Sequence, residues 1–199
     1  MASKTDICNL ALTLMGAAPS LTNVDQDASV HASKLRAVYA VTRDAALRAH
    51  AWNFATIRTT LAASTAAPEW GYARKYELPA EYLGQLRFDT DHHASKRPNH
   101  RVVTDRTTGG KWIHTDEGDP IYVEFVIMPV SEADYDPMFV EFLAARLAAA
   151  AGYSITSKAT IAEEMRQYAQ DLARDARWAD AVDTGRDEPD EGDFLASRR

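Results

Sequence analysis

Residues 43–55, with the sequence RDAALRAHAWNFA, place Trp52 and Phe54 directly after the end of an amphipathic helical pattern. The helix predicted before them runs from about Ser29 to His50, because apolar residues recur along one of its faces. That stripe consists of Leu35, Val38, Tyr39, Thr42, Ala46 and Ala49. Large aromatic side chains dominate cores as well as interfaces. The sequence therefore favours Trp52 and Phe54 as core residues that anchor the helix end, with a subunit contact as the alternative.

A shorter helix is predicted at the start of the chain. Ser3 is suited to cap it, and Asp6 lies in the first turn, where a carboxylate suits the helix dipole. Gly16 and Pro19 are expected to end it. Its apolar stripe consists of Ile7, Leu10, Ala11 and Leu14. Cys8, the only cysteine of the chain, is expected to be a buried thiol that forms no internal disulfide.

Two more helices are predicted in the last third of the chain. Asp136 is a suitable N-cap before Pro137 at the first helical position, and Gly152 is expected to end this third helix. Its stripe consists of Phe139, Phe142, Leu143, Leu147 and Ala150. Thr156 or Ser157 is expected to cap the fourth helix. The stripe of the fourth helix consists of Ile161, Met165, Tyr168, Leu172, Ala176 and Ala179.

Between the two helix pairs, short strand-like stretches alternate with turns. The predicted strands are residues 72–78, 83–88, 101–104, 111–114 and 121–128. The last has apolar residues on both faces, which indicates a central strand with one face on the helices and the other partly covered. Residues 62–67 are predicted to be a surface loop, and residues 107–110 a hairpin tip.

The order of these elements predicts an α+β fold. We expect a bundle of two N-terminal and two C-terminal helices, an inserted small antiparallel β region and an extended C-terminal arm. The predicted boundaries place the N-terminal helices in residues 1–61, the β-rich insertion in 62–130, the C-terminal helices in 131–183 and an acidic tail in 184–199.

Composition narrows the range of functions. The 199-residue chain has 29 acidic and 22 basic residues, a net charge of −7. This balance argues against a surface that grips nucleic acid through many phosphates. No stretch approaches the roughly 18 uninterrupted apolar residues of a membrane span, and the start lacks the layout of a signal peptide. The chain is expected to be soluble, made in the cytoplasm, and without a membrane partner.

Motifs that carry chemistry are not found in the sequence. It has no glycine-rich phosphate loop, nucleophile elbow, HExxH or paired-cysteine zinc spacing. Residues 89–93 (Asp-Thr-Asp-His-His) could supply metal ligands, but a polar loop would not hold them in the required geometry, so a solvated loop is favoured. Glu77 and Glu81 are expected to be separate surface acids. We therefore predict no catalytic, cofactor-binding or metal-binding residues, and a protein that is not an enzyme.

The last residues, 183–199, lack periodicity and are rich in Asp and Glu. They end with Phe194 and Leu195 followed by Arg198 and Arg199. One interpretation is a solubilising tail. The other is a docking peptide with the two apolar residues as anchors and the two arginines as ionic clamps.

Several short motifs, in this order and spacing, resemble the podophage tail tubular protein A and head-to-tail connector (adaptor) family. The resemblance covers most of residues 5–180. The segments that carry it are the first helix, residues 43–55 with Arg43, Asp44, Trp52 and Phe54, residues 76–79 (YELP), residues 122–129, residues 136–139 (DPMF) and residues 144–148 (AARLA).

The resemblance implies a structural virion protein of the phage neck. Such a protein forms a ring, commonly dodecameric, that binds the portal protein above and the tail nozzle or tube below. DNA would pass through the lumen without specific binding, and the C-terminal arm would reach the portal or a neighbouring subunit. Trp70 and Trp178 are candidate subunit contacts, and no cofactor is expected.

Two other classes of function remain open at this point. One is a non-catalytic scaffolding or regulatory helical module that binds a virion or host protein. The other is an enzyme, such as a hydrolase using Glu77, Glu81 or residues 89–93.

Overall fold

The computed structural model describes residues 2–18, 21–88, 98–106 and 109–184. Within these residues the chain forms four α-helices and two antiparallel sheets, which confirms the α+β class. The helices are α1 (Lys4–Leu14), α2 (Val30–Arg48), α3 (Pro137–Thr156) and α4 (Ala159–Thr184). The Asp89–His93 loop, the Thr107–Thr108 part of the hairpin tip and the acidic tail beyond Thr184 lie outside the described residues.

Six strands form the two sheets of the described chain. They are β1 (Thr56–Leu61), β2 (Arg74–Glu77), β3 (Tyr82–Phe88), β4 (His100–Thr104), β5 (Lys111–Thr115) and β6 (Ile121–Ile127). One sheet has the order β1-β6-β3 and the other β2-β5-β4. As expected from its apolar residues on both faces, β6 is the central strand of its sheet.

Strand β1 was not predicted from the sequence, which placed residues 56–61 with the N-terminal helices. Its apolar residues are only Ile57 and Leu61, and it is a half-exposed edge strand, so its alternation is weak. It pairs antiparallel with β6, from Thr56 opposite Val126 to Leu61 opposite Ile121. The β region therefore begins earlier in the chain than the predicted boundary.

A small core joins the two sheets. It consists of Tyr76, Leu78, Tyr82, Ile113, Ile121, Val123 and Phe125. Val126, on the same strand as Phe125, instead belongs to the larger core formed with the helices. The strand thus contacts the helices on one face, as predicted, while its other face is covered by a second sheet, which was not predicted.

The central helix of the larger core is α3, which packs against α1, α2 and α4. Its buried face is rich in small residues, which let neighbouring helices approach closely. These residues are Ala144, Ala145, Ala148, Ala151 and Gly152. By length and composition α3 could cross a membrane, contrary to the expectation that no stretch qualifies. Half of the apolar stretch of α3 is buried inside the protein, as in the core helix of a folded domain.

Gly152 does not end α3, so that prediction was wrong. The helix continues to Thr156 and is capped by Ser157 in the left-handed conformation, with φ of 58°. A Cβ atom at Gly152 would lie 3.3 Å from the Cα of Ala162 in α4. The glycine therefore allows α3 and α4 to approach closely.

The predicted starts of α1, α2 and α3 agree with the structure, but the prediction that Thr156 or Ser157 caps α4 was wrong. Thr156 is the last residue of α3 and Ser157 is its C-cap, and α4 begins at Ala159. Ser3 and Asp6 form a capping box at α1, and Asp136 accepts hydrogen bonds from the amides of Met138 and Phe139 at α3. The predicted apolar stripes match the buried helix faces less well. In α1, Cys8 and Leu12 are fully buried, whereas Leu10 is half-buried. In α4 the buried row consists of Ala162, Ala169, Leu172, Ala173 and Ala176. Close helix packing selects these small residues over the larger Tyr168, which is exposed.

Candidate interaction surfaces

The segment 43–55 forms the joint between α2 and β1. Trp52 is 1% exposed, and its Nε1 donates a hydrogen bond to the carbonyl oxygen of Ala46 at 3.1 Å. Its ring lies 5.0 Å from that of Phe139, centroid to centroid. Phe54 is half-buried and contacts the rings of Phe139 and Tyr135 at 5.0 and 5.6 Å. The expectation that these two residues belong to the core is met, fully for Trp52 and in part for Phe54.

Arg43 and Asp44 form a local ion pair at the same joint. The Nε of Arg43 donates to Oδ1 of Asp44 at 2.9 Å, and the guanidinium lies 5.8 Å from the centroid of the Tyr39 ring. Burial opposes the charge of Arg43, yet the hydrogen bond and charge of Asp44 leave its pKa raised. Arg43 therefore stays cationic and serves the framework of the fold.

Asp180 of α4, the last helix, binds two residues of this joint. Its Oδ1 accepts a hydrogen bond from the Asn53 amide at 2.8 Å, and its Oδ2 lies 2.9 Å from Nε2 of His50. The Asn53 side chain donates to the Asp180 carbonyl oxygen at 2.8 Å and to the Thr184 hydroxyl at 3.0 Å. These contacts of Asp180 were not predicted, since no local pattern in the sequence connects it with residues about 130 positions earlier.

A groove of about 750 Å³ lies on the face of the β2-β5-β4 sheet that points away from the small core. We call it the aromatic groove, and define it by Trp70, Tyr72, Lys75, Arg101, Trp112 and His114. Trp70, a predicted subunit contact, is 72% exposed at its edge. The full lining also contains Arg106, Glu69 and Asp105, so the groove presents aromatic rings with a small excess of positive charge.

Two contacts organise the floor of the aromatic groove. The Lys75 Nζ lies 4.9 Å from the centroid of the Trp112 ring, a cation–π geometry. Burial, with a further contribution from Lys75, lowers the pKa of His114, so this imidazole is neutral at pH 7. The Nε1 of Trp112 is buried and has no hydrogen-bond partner in the described structure. Of the six residues that define the aromatic groove, only Trp70 was predicted from the sequence to be a contact.

The second predicted subunit contact, Trp178, lies on α4 and is 73% exposed. Helical spacing places Asp171, Asp175 and Val182 on the same face of α4, and all three are exposed. We call these four residues the Trp178 row. It combines an aromatic ring with two carboxylates, of which Asp171 pairs with the neighbouring Arg174. Its negative residues contrast with the small positive excess of the aromatic groove.

A cleft of about 480 Å³ lies between α2, α3 and α4. We call it the arginine cleft, since its charged lining residues are Arg146, Arg166 and Arg177. Its floor is apolar and consists of Ala49, Phe142, Ala149, Ala150, Ala169 and Ala173. Helical spacing puts this cleft on the side of α4 away from the Trp178 row.

The described residues that could carry chemistry are not arranged as a catalytic site. No three His, Cys, Asp or Glu side chains in residues 2–18, 21–88, 98–106 and 109–184 come together to hold a metal ion. Glu77 and Glu81 are both exposed. Burial raises the pKa of the Cys8 thiol to about 12, so it is not a nucleophile at neutral pH. The predicted docking residues Phe194, Leu195, Arg198 and Arg199 lie outside the described part of the chain.

A scan of protein-family models and a search of curated proteins each gave no significant match to this chain.

Proposed function

We propose that this chain is a structural subunit of a ring that connects the portal of a phage head to its tail. In this proposal the four helices form the bundle of a head-to-tail connector of the tail tubular protein A type, and the β region is its insertion. The ring, which the same resemblance makes a dodecamer, binds the portal on one side and the tail nozzle or tube on the other. The proposed location is the neck of the virion.

The observation that supports the proposal is a pair of exposed surfaces with opposite charge on one chain. A closed ring needs a heterologous contact, in which one face of a subunit meets a different face of the next. The lining of the aromatic groove has three cations, Lys75, Arg101 and Arg106, against two acids, Glu69 and Asp105, whereas the Trp178 row carries Asp175 and Asp171, the latter paired with Arg174. We propose that the row of one subunit binds the groove of its neighbour.

Exposed aromatic residues suit this role. Tryptophan is enriched among the residues that carry most of the binding energy of an interface, and complementary charges around it select the partner and register. Trp70 and Trp178 are each more than two-thirds exposed in the single subunit. Their burial between subunits would remove a large apolar surface from water.

The joint at Trp52 supports the same function in another way. Asp180 ties α4 to the segment that leads into β1, and Gln85 of β3 donates to the Arg48 carbonyl oxygen at 3.1 Å. These contacts hold the groove-bearing β region and the row-bearing helix in a defined relation. A ring subunit needs such rigidity, because a small error in the angle between its two faces prevents closure.

The acidic balance of the chain suits a passage for DNA. A lumen lined by Asp and Glu repels phosphates and avoids a wall to which DNA would adhere. The net charge of −7 is consistent with this use.

Ring formation in the presence of the portal tests the proposal. We expect Trp70→Ala and Trp178→Ala each to weaken assembly on portal rings about tenfold or more, as loss of a central interface residue does. Tyr153→Ala is the control, since this aromatic residue is 64% exposed on α3 but belongs to neither surface. Electron microscopy and co-sedimentation with portal rings give the readout.

A charge exchange makes the test specific for the proposed pairing. Lys75→Glu alone should weaken assembly, and Asp175→Lys on the same chain should restore part of it if the two surfaces meet. A chain that remains monomeric and does not bind the portal would instead favour the scaffolding or regulatory module.

The C-terminal arm provides a separate test of portal binding. Deletion of residues 187–199 should preserve folding and weaken attachment to the portal, because the deleted segment contains the proposed anchors Phe194 and Leu195 with Arg198 and Arg199. Unchanged co-sedimentation of the truncated protein with portal rings would contradict this role of the arm.

A further inference from the structure

The arginine cleft has cations but no acidic residue in its lining. Arg166 pairs with Glu163 on the neighbouring turn of α4. In the described structure, neither Arg146 nor Arg177 forms an ion pair with a carboxylate. A protein with a net charge of −7 thus gathers three arginines around one concave surface, and two of them have no carboxylate partner among the described residues.

Arg146 is the most constrained of the three. It is half-buried, and its guanidinium lies 5.6 Å from the centroid of the Phe142 ring. Burial lowers the pKa of Arg146, and no carboxylate in the part of the chain that the structure describes offsets the cost. A partly desolvated cation of this kind is stabilised by an anion that enters the cleft.

The shape of the cleft fits an extended peptide that is both acidic and apolar. Arg166 and Arg177 are eleven residues apart on α4, or about 16 Å along the helix axis. Between them the floor consists of alanines and the edge of Phe142. Carboxylates would contact the arginines at the rim, and apolar side chains would lie on the floor.

The chain itself contains such a peptide. Residues 187–195, with the sequence DEPDEGDFL, hold five carboxylates followed by Phe194 and Leu195. They follow closely after Thr184, the last residue of α4. Gly185 follows Thr184 in the sequence, and glycine permits the backbone conformations in which a chain reverses its direction.

We propose that residues 187–195 fold back along α4 of the same chain and occupy the arginine cleft. The distances permit this path. Arg177 and Arg166 lie seven and eighteen residues before Thr184, or about 10 and 27 Å along the helix. At roughly 3.3 Å per residue, an extended chain reaches at most about 10 Å at Asp187 and about 36 Å at Leu195, and any turn after Thr184 shortens this reach. The segment is therefore long enough to span the two arginines with Phe194 and Leu195 at the end of the cleft near Arg166.

This inference concerns the free subunit and does not rest on the ring. If the chain is a connector, binding of the arm to a portal requires its release from the cleft. The cleft would then keep the anchors Phe194 and Leu195 covered until a partner competes for them.

Disulfide trapping in the full chain tests the proposal. Gln170→Cys places a thiol in the cleft lining and Asp190→Cys places one in the tail, while native Cys8 is fully buried. Mild oxidation of the dilute protein should join these cysteines within one molecule, as detected by mass spectrometry of the digested chain. The control pairs Asp190→Cys with Glu164→Cys, which lies on the opposite side of α4. We expect trapping in the cleft to be about tenfold faster or more, as a raised effective concentration implies.

Charge variants in the same background show whether the arginines hold the segment. Arg146→Gln with Arg177→Gln should reduce the trapping rate to that of the control pair, whereas Arg174→Gln, outside the cleft, should leave it unchanged. Asp187→Asn, Glu188→Gln, Glu191→Gln and Asp193→Asn together should have the same effect as loss of the cleft arginines without any change in the helices. Equal rates for both cysteine pairs, or disulfides mainly between molecules, would overturn the proposal.

Discussion

The helical region and the β region are stabilised by different means. In the helical region α3 contacts three other helices through a face of small residues, and large side chains such as Trp52 and Phe139 fill the core. The β region has a core of seven buried residues in the described part of the chain, and side-chain hydrogen bonds attach its turns to the strands. For example, the Tyr76 hydroxyl donates to the Gly118 carbonyl oxygen at 2.6 Å. We therefore expect the helical region to determine global stability and the β region to respond locally.

The largest effect is expected at Trp52, where the two regions meet. Trp52→Ala should lower the free energy of unfolding by about 3–5 kcal/mol, because it leaves a cavity and removes the hydrogen bond to Ala46. Urea denaturation measures the change. Trp70→Ala is the matched control and should cost less than about 0.5 kcal/mol, since its side chain is exposed. Similar losses for both variants would contradict the assignment of Trp52 to the core.

The contact between α3 and α4 gives the next largest effect. Gly152→Leu should destabilise the fold by about 1–3 kcal/mol, because its side chain would collide with the backbone of Ala162. Ala150→Leu, on an exposed part of the same helix, is the control and should be nearly neutral. If Gly152→Leu were as stable as this control in thermal denaturation, close packing of α3 on α4 would be refuted.

A smaller and more local effect is expected in the β region. Tyr76→Phe should cost about 1 kcal/mol, because it removes the hydrogen bond to Gly118. Hydrogen exchange should become faster in β2 and β5 while α3 keeps its protection. Tyr122→Phe, at a residue 57% exposed, serves as the control. Faster exchange throughout the helices would show that the two regions unfold as one unit.

The smallest effect is expected at the start of α1, and it depends on pH. Hydrogen bonds from Ser3 lower the pKa of the Asp6 carboxyl below its ordinary value of 3.8. The folded state therefore favours the charged carboxylate, so its contribution is present at neutral pH and is lost as the pH falls through the lowered pKa.

Asp6→Asn provides the measurement. At pH 7 the substitution should cost about 0.3–1 kcal/mol, as expected for a carboxylate at an exposed helix N-terminus. The difference between the two proteins should shrink in denaturation curves recorded below about pH 3.8. A difference that stays constant with pH would mean that the charge of Asp6 does not stabilise α1.

The sequence predicted more of the helical region than of the β region. Helix ends are specified by residues that are neighbours in the chain, whereas strands are specified by distant partners. Helix starts at Ser3 and Asp136 were predicted because a cap and its helix are neighbours in the chain. Strand β6 was predicted to be central because its two faces are both apolar. Strand β1 was missed, since an edge strand is defined mainly by its partner and Thr56–Leu61 pairs with residues sixty to seventy positions later.

The candidate surfaces divide in the same way. Trp70 and Trp178 were identified as possible contacts from their residue type and position, and the structure shows both exposed. The aromatic groove, the Asp180 contacts and the arginine cleft were not foreseen. Each of them combines residues from elements far apart in the chain, so no local pattern in the sequence could reveal it.

The sequence by itself determined which segments become helices, where most of them begin and that Trp52 belongs to the core, because periodicity, capping and side-chain size act locally. Only the tertiary structure decided that Gly152 lies at a helix contact instead of a helix end. It also placed a second sheet over β6 and three arginines around one cleft. These features depend on the distances between segments, and such distances are set when the helices and sheets pack together.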